Sequence, residues 1–152
     1  FNLHELVNQV FVIFQSLARQ KKLLIENRID QSMQIHQYYE PLKILVYNLL
    51  TNAIHFAERG MIVVSAIKGE ESITITVKDD GIGMTPEQIQ RLMAEDVIIT
   101  SANVDNKKGH GLGYLIIKDL IKTMSAKLHI ESEKGAGTAV SIKLPATKNG
   151  GD

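Results

Sequence analysis

The chain has 152 residues, of which 44% are hydrophobic and 22% are charged, and its formal net charge is zero. This length predicts one domain with a hydrophobic core of its own. The absence of cysteine excludes disulfides, zinc–thiolate sites and a cysteine nucleophile. The neutral charge gives no reason to expect a nucleic acid or an anionic membrane as a partner.

The start of the sequence suggests a part of a longer protein. No apolar run reaches the ~20 residues that a membrane-spanning helix needs, and Phe1-Asn2-Leu3 has neither an initiator methionine nor a signal-peptide pattern. We therefore expect a single domain over residues 1–147, a frayed tail over 148–152, a monomeric fragment, and membrane attachment only through other segments of the parent protein.

The first half of the chain predicts helices and short strands in alternation. Apolar residues at helical spacing predict an amphipathic helix over 3–20. Short strands are predicted over 23–29 and 33–36, around a turn that contains Asn and Asp. A second helix is expected from Pro41 to about Phe56, with Gly60 ending it.

Two hairpins are predicted in the second half. Strands over 61–68 and 72–78 form the first, and strands over 127–133 and 138–144 form the second. Between the hairpins we expect a short helix opened by Thr85 and Pro86, a long loop over 95–110, and a helix over 111–124. These elements predict an α+β fold, a two-layer sandwich with helices on one face of a mixed, mostly antiparallel sheet.

A stripe of polar residues lies beside the core-facing arc of the second helix. Asn48 and Asn52 are four residues apart and therefore stack on one side of the helix, and His55 continues the stripe. Amide oxygens at the edge of a core suit Mg²⁺, which otherwise binds waters and phosphate oxygens. The alternative is a pair of partly exposed polar residues with no ligand.

Strand alternation places a carboxylate and a hydroxyl on the core-facing side of the sheet. Asp79 continues the buried face of its strand, and Thr138 lies on the buried face of the last strand. Gly81 and Gly83 follow at once and would let a ligand approach the backbone closely. A purine amine would satisfy Asp79, although an aspartate bonded to its own loop amides is a common alternative.

A second glycine-rich segment precedes the predicted helix over 111–124. Gly109, Gly111 and Gly113 leave free backbone amides at the positive end of that helix, which favours phosphate. Lys107 and Lys108 add positive charge just upstream. The segment is neither a P-loop nor a Rossmann fingerprint, because it has no Gly-Lys-Ser/Thr ending and no strand leads into it.

Taken in order, these motifs resemble the N box and the three glycine boxes of the GHKL superfamily of ATPases, chaperones and histidine kinases. The matching segments are Asn48-x-x-x-Asn52-Ala53, Asp79-x-Gly81-x-Gly83, Gly109-x-Gly111-Leu112-Gly113 and Gly135-x-Gly137-Thr138. The resemblance spans nearly the whole chain and is closest to the ATP-binding catalytic domain of two-component sensor histidine kinases. It implies the Bergerat ATP-binding fold.

The resemblance also implies cofactors and roles. The cofactors are ATP and Mg²⁺, with Asn48 and Asn52 as the catalytic and metal-binding residues and Asp79 on the adenine amine. The remaining nucleotide contacts that it implies are His55, Phe56, Gly81, Gly83, Met84, Lys107, Lys108, Gly109, Gly111, Leu112, Gly113 and Thr138. The loop over 95–110 would be the ATP lid.

Position 48 argues for a kinase rather than an ATPase. Hydrolytic members carry a glutamate there, four residues before the magnesium asparagine, as the general base for water. Asn48 cannot accept a proton at neutral pH, so ATP would be spared for transfer to another group.

The sequence departs from the family pattern at three places. His55 replaces a lysine that touches phosphate, and Leu92–Asp96 lacks the aromatic residues of the usual lid box. His110 and Tyr114 replace the more frequent Thr and Leu of the second glycine box. We expect Lys107 or Lys108 to substitute for the missing cation.

The chain is not expected to contain its own phosphoacceptor. His4-Glu5-Leu6 is only superficially similar to the acceptor sequence, because the usual Arg-Thr-Pro continuation is absent. The expected partners are an upstream dimerisation and phosphoacceptor domain and a downstream response regulator, with the domain itself in the cytoplasm. Three alternatives stay open: a degenerate non-catalytic signalling module of the same fold, an anti-sigma-type serine kinase, and a structural domain with accidental glycine turns.

Overall fold

The computed structural model describes residues 1–57, 60–93 and 110–147, with the backbone alone at Phe56, 91–93 and 110–116. The predicted lid and the glycine segment around Lys107, Lys108 and Gly109 lie outside the described residues, as does the predicted tail over 148–152. No helix in the described ranges combines the length and the apolar character needed to cross a bilayer.

The first helix, α1, spans Leu3–Gln20, as its apolar spacing predicts. Asn2 begins it with a side-chain cap, since its Oδ1 accepts a hydrogen bond from the Glu5 N–H at 2.9 Å. Leu3 and Leu6 on its inner face are fully buried. His4-Glu5-Leu6 is therefore part of the domain's own packed helix.

Within the described ranges, five strands form one mixed sheet in the order β1-β2-β3-β5-β4. β1 and β2 are parallel, and the other neighbouring strands are antiparallel. The strands are β1 Leu23–Asn27, β2 Gly60–Lys68, β3 Ser72–Asp79, β4 Lys127–Ser132 and β5 Thr138–Pro145. The predicted α+β class with a mixed, mostly antiparallel sheet is confirmed.

The hydrophobic core lies between one face of this sheet and the helices. Ile73, Ile75 and Val77 of β3 point into it and are almost completely buried. The opposite face is polar at the centre of the sheet, where the Thr76 and Ser141 hydroxyls form a 2.9 Å hydrogen bond. The alternation along β3 therefore continues to Asp79, which ends the strand on the core side.

The second helix, α2, spans Tyr39–Phe56 and contacts α1, β3 and the last helix. Pro41 falls in its first turn, where a missing N–H costs nothing. The predicted end at about Phe56 is confirmed, but Gly60 is not the residue that terminates the helix. Ala57 is already extended after donating its N–H to Ala53 O at 2.9 Å, and Gly60 begins β2.

The two remaining helices are α3, Pro86–Met93, and α4, His110–Thr123. α3 begins with a capping box, because the Gln88 N–H donates to Thr85 Oγ1 at 3.2 Å and the Thr85 N–H donates to Gln88 Oε1 at 2.9 Å. The predicted cap at Thr85 is confirmed, and α4 begins one residue before its predicted start.

The strand predicted over 33–36 is wrong. Gln34 and His36 form only isolated bridges, to Asn2 and to Thr147. Each bridge reaches a different part of the chain, so no ladder of consecutive hydrogen bonds can develop. β1 also stops at Asn27, where the Asn27 Oδ1 accepts the Ile29 N–H at 3.1 Å and bends the chain away.

Candidate nucleotide site

A small cavity lies where α2 faces the ends of β3 and β5. Its volume is about 10 Å³, roughly that of a single water position, so it can receive the polar end of a ligand but not a whole nucleotide. It brings together four of the predicted site residues from distant parts of the sequence, namely Asn52, Asp79, Met84 and Thr138. The lining residues are Leu49, Asn52, Ala53, Val77, Asp79, Met84, Thr138 and Val140.

Asp79 is the buried carboxylate of this cavity, with 5% of its surface exposed. Its Oδ1 accepts the Gly81 N–H at 2.8 Å, which is the local turn contact that the sequence left open as an alternative. Burial raises the pKa of Asp79 above its ordinary value, while the amide of Gly81 acts in the opposite direction. The Thr138 amide acts in the same direction as that of Gly81, and a carboxylate has acceptor positions for a further donor in the cavity.

The first and third glycine segments contact each other directly. Gly83 has a φ of +75°, and a side chain there would come within 2.1 Å of the Glu133 carbonyl oxygen. Gly137 has a φ of +88°, and a Cβ there would come within 2.1 Å of the Asp79 carbonyl oxygen. Only glycine satisfies both conditions, so these two residues bring the loop after β3 against the β4–β5 turn.

Ser132 joins these two loops and was not singled out from the sequence. Its Oγ accepts the Met84 N–H at 2.7 Å, and it lies 2.8 Å from Gly137 O and 2.7 Å from Thr138 Oγ1. The available signal was parity, since Ser132 is a hydroxyl on the core-facing side of β4, opposite Thr138. That signal is weak, because serine near a turn is common.

The two asparagines of α2 have different environments. Asn52 is 4% exposed, and within the described ranges its buried Nδ2 has no hydrogen-bond partner. Asn48 is half-buried, and its Nδ2 donates back to Ile44 O at 2.8 Å, which leaves its Oδ1 for another partner. An unpaired buried amide costs roughly 1–3 kcal/mol, so Asn52 favours a ligand that would pair with it.

The other predicted contacts are less closely grouped. His55 is exposed at the end of the asparagine stripe and does not line the cavity. The side chains of Phe56 and Leu112 fall in the part described by backbone alone. Gly111 and Gly113 lie in the first turn of α4, so the free amides predicted before that helix partly belong to the helix itself.

Asp80, next to the cavity residue, has a structural role. It points away from the core, as alternation predicts, and its Oδ1 accepts the Met61 N–H at 2.9 Å at the start of β2. The two adjacent aspartates therefore have different roles. Asp79 lines the cavity, and Asp80 connects the start of β2 to the loop that follows β3.

Comparison with known proteins shows the family of the chain. Residues 38–148 match the family model described as histidine kinase-, DNA gyrase B- and HSP90-like ATPase. The autoinducer 2 sensor kinase/phosphatase LuxQ of Vibrio cholerae serotype O1 is 30% identical over 95% of this chain, which corresponds to 18% of LuxQ. The histidine protein kinase SaeS of Staphylococcus epidermidis is 28% identical over 91% of this chain and 40% of SaeS.

Solved structures share the fold. The catalytic domain of histidine kinase ThkA superposes with a TM-score of 0.79 at 19% identity, covering 97% of this chain and 94% of that domain. Full-length ShkA in complex with AMPPNP superposes with a TM-score of 0.83 at 22% identity, covering 99% of this chain and 31% of ShkA.

The family match covers most of the chain, and the chain therefore belongs to the histidine kinase-, DNA gyrase B- and HSP90-like ATPase family. Within that family it is an ATP-binding catalytic domain of the sensor histidine kinase type, as its relatives and its fold agree. The chain spans less than half the length of these curated relatives.

Proposed function

We propose that this domain binds ATP with Mg²⁺ at the cavity between α2 and the β3 and β5 ends, and that the γ-phosphoryl group is transferred to a histidine on a separate dimerisation domain. The observation that carries the proposal is the buried Asp79 carboxylate, facing Asn52 and Thr138 across one cavity. The same proposal includes a response regulator downstream and a cytoplasmic position for this domain. Any attachment to a membrane is through other segments of the parent protein.

The residues present fit an adenine amine. A buried carboxylate needs donors, and Gly81 supplies one of them to Asp79. An exocyclic amine would supply another, and Thr138 offers its hydroxyl beside it. The apolar walls formed by Leu49, Met84 and Val140 would exclude water around the base.

The residues also fit magnesium. Asn52 and Asn48 offer amide oxygens, which suit a hard cation that completes its shell with phosphate oxygens and water. The described residues contain no group of three or more His, Asp or Glu that could hold a metal. When bound, Mg²⁺ neutralises phosphate charge during transfer.

Asn48 determines what the domain can do with the nucleotide. Its Nδ2 is occupied by Ile44 O, and an amide has no basic lone pair with which to deprotonate water. Positioning and charge neutralisation remain, and these are what phosphoryl transfer requires. His55, which is exposed at the lysine position, is the observation that favours a second candidate, a module that binds nucleotide without transferring phosphate.

The test combines this chain with the dimerisation domain of its parent protein, labelled ATP and Mg²⁺. We expect an acid-labile phosphohistidine on the added domain. Asn52→Ala should abolish it, while Thr51→Ala should not, because the Thr51 hydroxyl bonds back to Tyr47 O on the same helix. Nucleotide binding without any transfer by the unmodified chain would favour the second candidate, and absence of binding would contradict both.

A further inference from the structure

The hydroxyl group of Ser132 has three partners and one proton. The Met84 N–H can only donate to it, at 2.7 Å, and the Gly137 carbonyl oxygen can only accept from it, at 2.8 Å. A serine hydroxyl has one donor and two acceptor positions. Its proton therefore goes to Gly137 O, and one of its two lone pairs accepts from Met84.

The third partner then has a fixed direction. Thr138 Oγ1 lies 2.7 Å from Ser132 Oγ, which has already used its proton. A short oxygen–oxygen contact without a shared proton would be repulsive, so Thr138 donates and Ser132 accepts. The Thr138 hydroxyl consequently has no proton left for the cavity and presents only lone pairs to it.

Asp79 and Thr138 therefore both present acceptors to the cavity, and the unpaired Nδ2 of Asn52 is the donor among its described polar lining residues. Asp79 contributes the free positions of its carboxylate, and Thr138 contributes its hydroxyl lone pairs. A ligand group with two N–H donors complements both residues. A carbonyl oxygen beside Asp79 and Thr138 would leave both of these buried acceptors unpaired, whatever it accepted from Asn52.

We propose that Ser132 is a positioning residue that holds the Thr138 hydroxyl as an acceptor, and thereby selects purine nucleotides with an amine at position 6 over those with a carbonyl. This inference rests on the proposed nucleotide site. It assigns the selectivity to Ser132, whose side chain need not touch the base. Ser132 is the last residue of β4 and precedes the glycine segment at Gly135 and Gly137.

The experiment compares ADP with IDP, whose bases differ at position 6 and at the neighbouring ring nitrogen. Both dissociation constants are measured by calorimetry in the presence of Mg²⁺, for the unmodified chain and for Ser132→Ala. Without Ser132 the Thr138 hydroxyl can rotate and donate to a carbonyl. We expect the preference for ADP over IDP to fall about two- to tenfold, the change that corresponds to one net hydrogen bond.

Two further variants separate this role from general support of the hairpin. Ser141→Ala removes a hydroxyl from the same hairpin but on the opposite face, where Ser141 bonds Thr76, and it should leave the preference unchanged. Thr138→Val removes the hydroxyl that Ser132 is proposed to hold. In that background Ser132→Ala should produce no additional change in the preference, since the two residues act as one unit.

The outcomes are distinct. If Ser132→Ala weakens ADP and IDP by the same factor, Ser132 only supports the loops and the proposal is overturned. If the unmodified chain binds neither nucleotide, the proposed function itself fails. If Ser132→Ala does not fold, Ser132→Cys replaces it. A thiol is a weak donor and a weak acceptor, so we expect the same fall in the preference for ADP over IDP.

Discussion

At the level of single residues, opposing influences act on the Asp79 carboxyl group. Burial raises its pKa most strongly, the Gly81 amide lowers it, the neighbouring Asp80 raises it, and the Thr138 amide lowers it, with a net rise above its ordinary value. The folded state therefore holds this proton more tightly than the unfolded chain does. Stability consequently falls as pH rises from the unfolded value to the raised one, and the cost persists above it.

Asp79→Asn should remove this pH-dependent cost. We expect the free energy of unfolding of the variant, relative to the unmodified chain, to increase between pH 3 and pH 7, since only the unmodified chain has a carboxyl group whose pKa burial raises. Urea unfolding at a series of pH values measures the difference. The same variant should bind ADP more weakly, because it loses a carboxylate acceptor. A relative stability that does not change with pH would contradict the assignment.

Gly135 and Gly137 allow a matched test of the contact between the two glycine loops. Their φ values are +89° and +88°, but a Cβ at Gly135 would meet nothing within 4 Å, whereas one at Gly137 would meet the Asp79 carbonyl. Gly135→Ala should cost about 1 kcal/mol for the backbone conformation alone. Gly137→Ala should cost roughly 1–3 kcal/mol more, from the clash. Equal losses in urea unfolding would show that the loops move apart easily.

Strand parity made part of this site predictable. Asp79 and Thr138 were placed on the core side by alternation, and helical spacing placed Asn52 beside the core arc; all three line the cavity. Ser132 was missed because its role depends on Met84, which is 48 positions away in the chain. Parity places the Ser132 hydroxyl on the core side of β4, but it does not reveal the contact with Met84 that gives this hydroxyl its role.

At the level of secondary structure, helix boundaries were predictable where side chains form them. Asn2 and Thr85 cap α1 and α3 through local hydrogen bonds that the sequence encodes within three residues. The isolated bridges of Gln34 and His36 could not be predicted in this way. Their partners, Asn2 and Thr147, come together only when both ends of the domain have folded.

The start of α2 lacks such a cap and offers a third prediction. Tyr38 occupies the N-cap position with an extended backbone and makes no side-chain capping bond. Tyr38→Asp should accept a free amide of the first turn and complement the positive helix end. Because the tyrosine has other contacts, the reference is Tyr38→Ala. We expect the aspartate variant to be more stable than the alanine variant by about 1 kcal/mol, measured by urea unfolding.

A smaller gain at high salt would support the charge contribution. The absence of any difference between the two variants would mean that water already satisfies the amides of that first turn equally well.

At the level of the whole molecule, the cavity joins elements that are held together mainly through the core. Asn52 comes from α2, Asp79 from β3 and Thr138 from β5, and the loops after β3 and β4 meet at Ser132. A ligand in this position would contact all of them at once and should stabilise the folded state as a unit. The unpaired Nδ2 of Asn52 lowers the stability of the unliganded domain, and we attribute its retention to ligand binding.

Asn52→Leu tests that trade-off, because leucine has a similar shape and no polar atoms. Without nucleotide, we expect the variant to be more stable than the unmodified chain by about 1–3 kcal/mol, since the unpaired buried amide is removed.

With Mg²⁺ and ADP at a hundred times its dissociation constant, the unmodified chain should gain about 2.7 kcal/mol. That gain corresponds to a rise in melting temperature of roughly 5–10 °C for a domain of this size. The variant should lose the magnesium-dependent part of the gain, and Thr51→Ala, one residue away, should keep all of it. If Asn52→Leu destabilises the unliganded domain while magnesium-dependent stabilisation survives, then Asn52 is a core residue that packs beside the site, and the metal must be held by other groups.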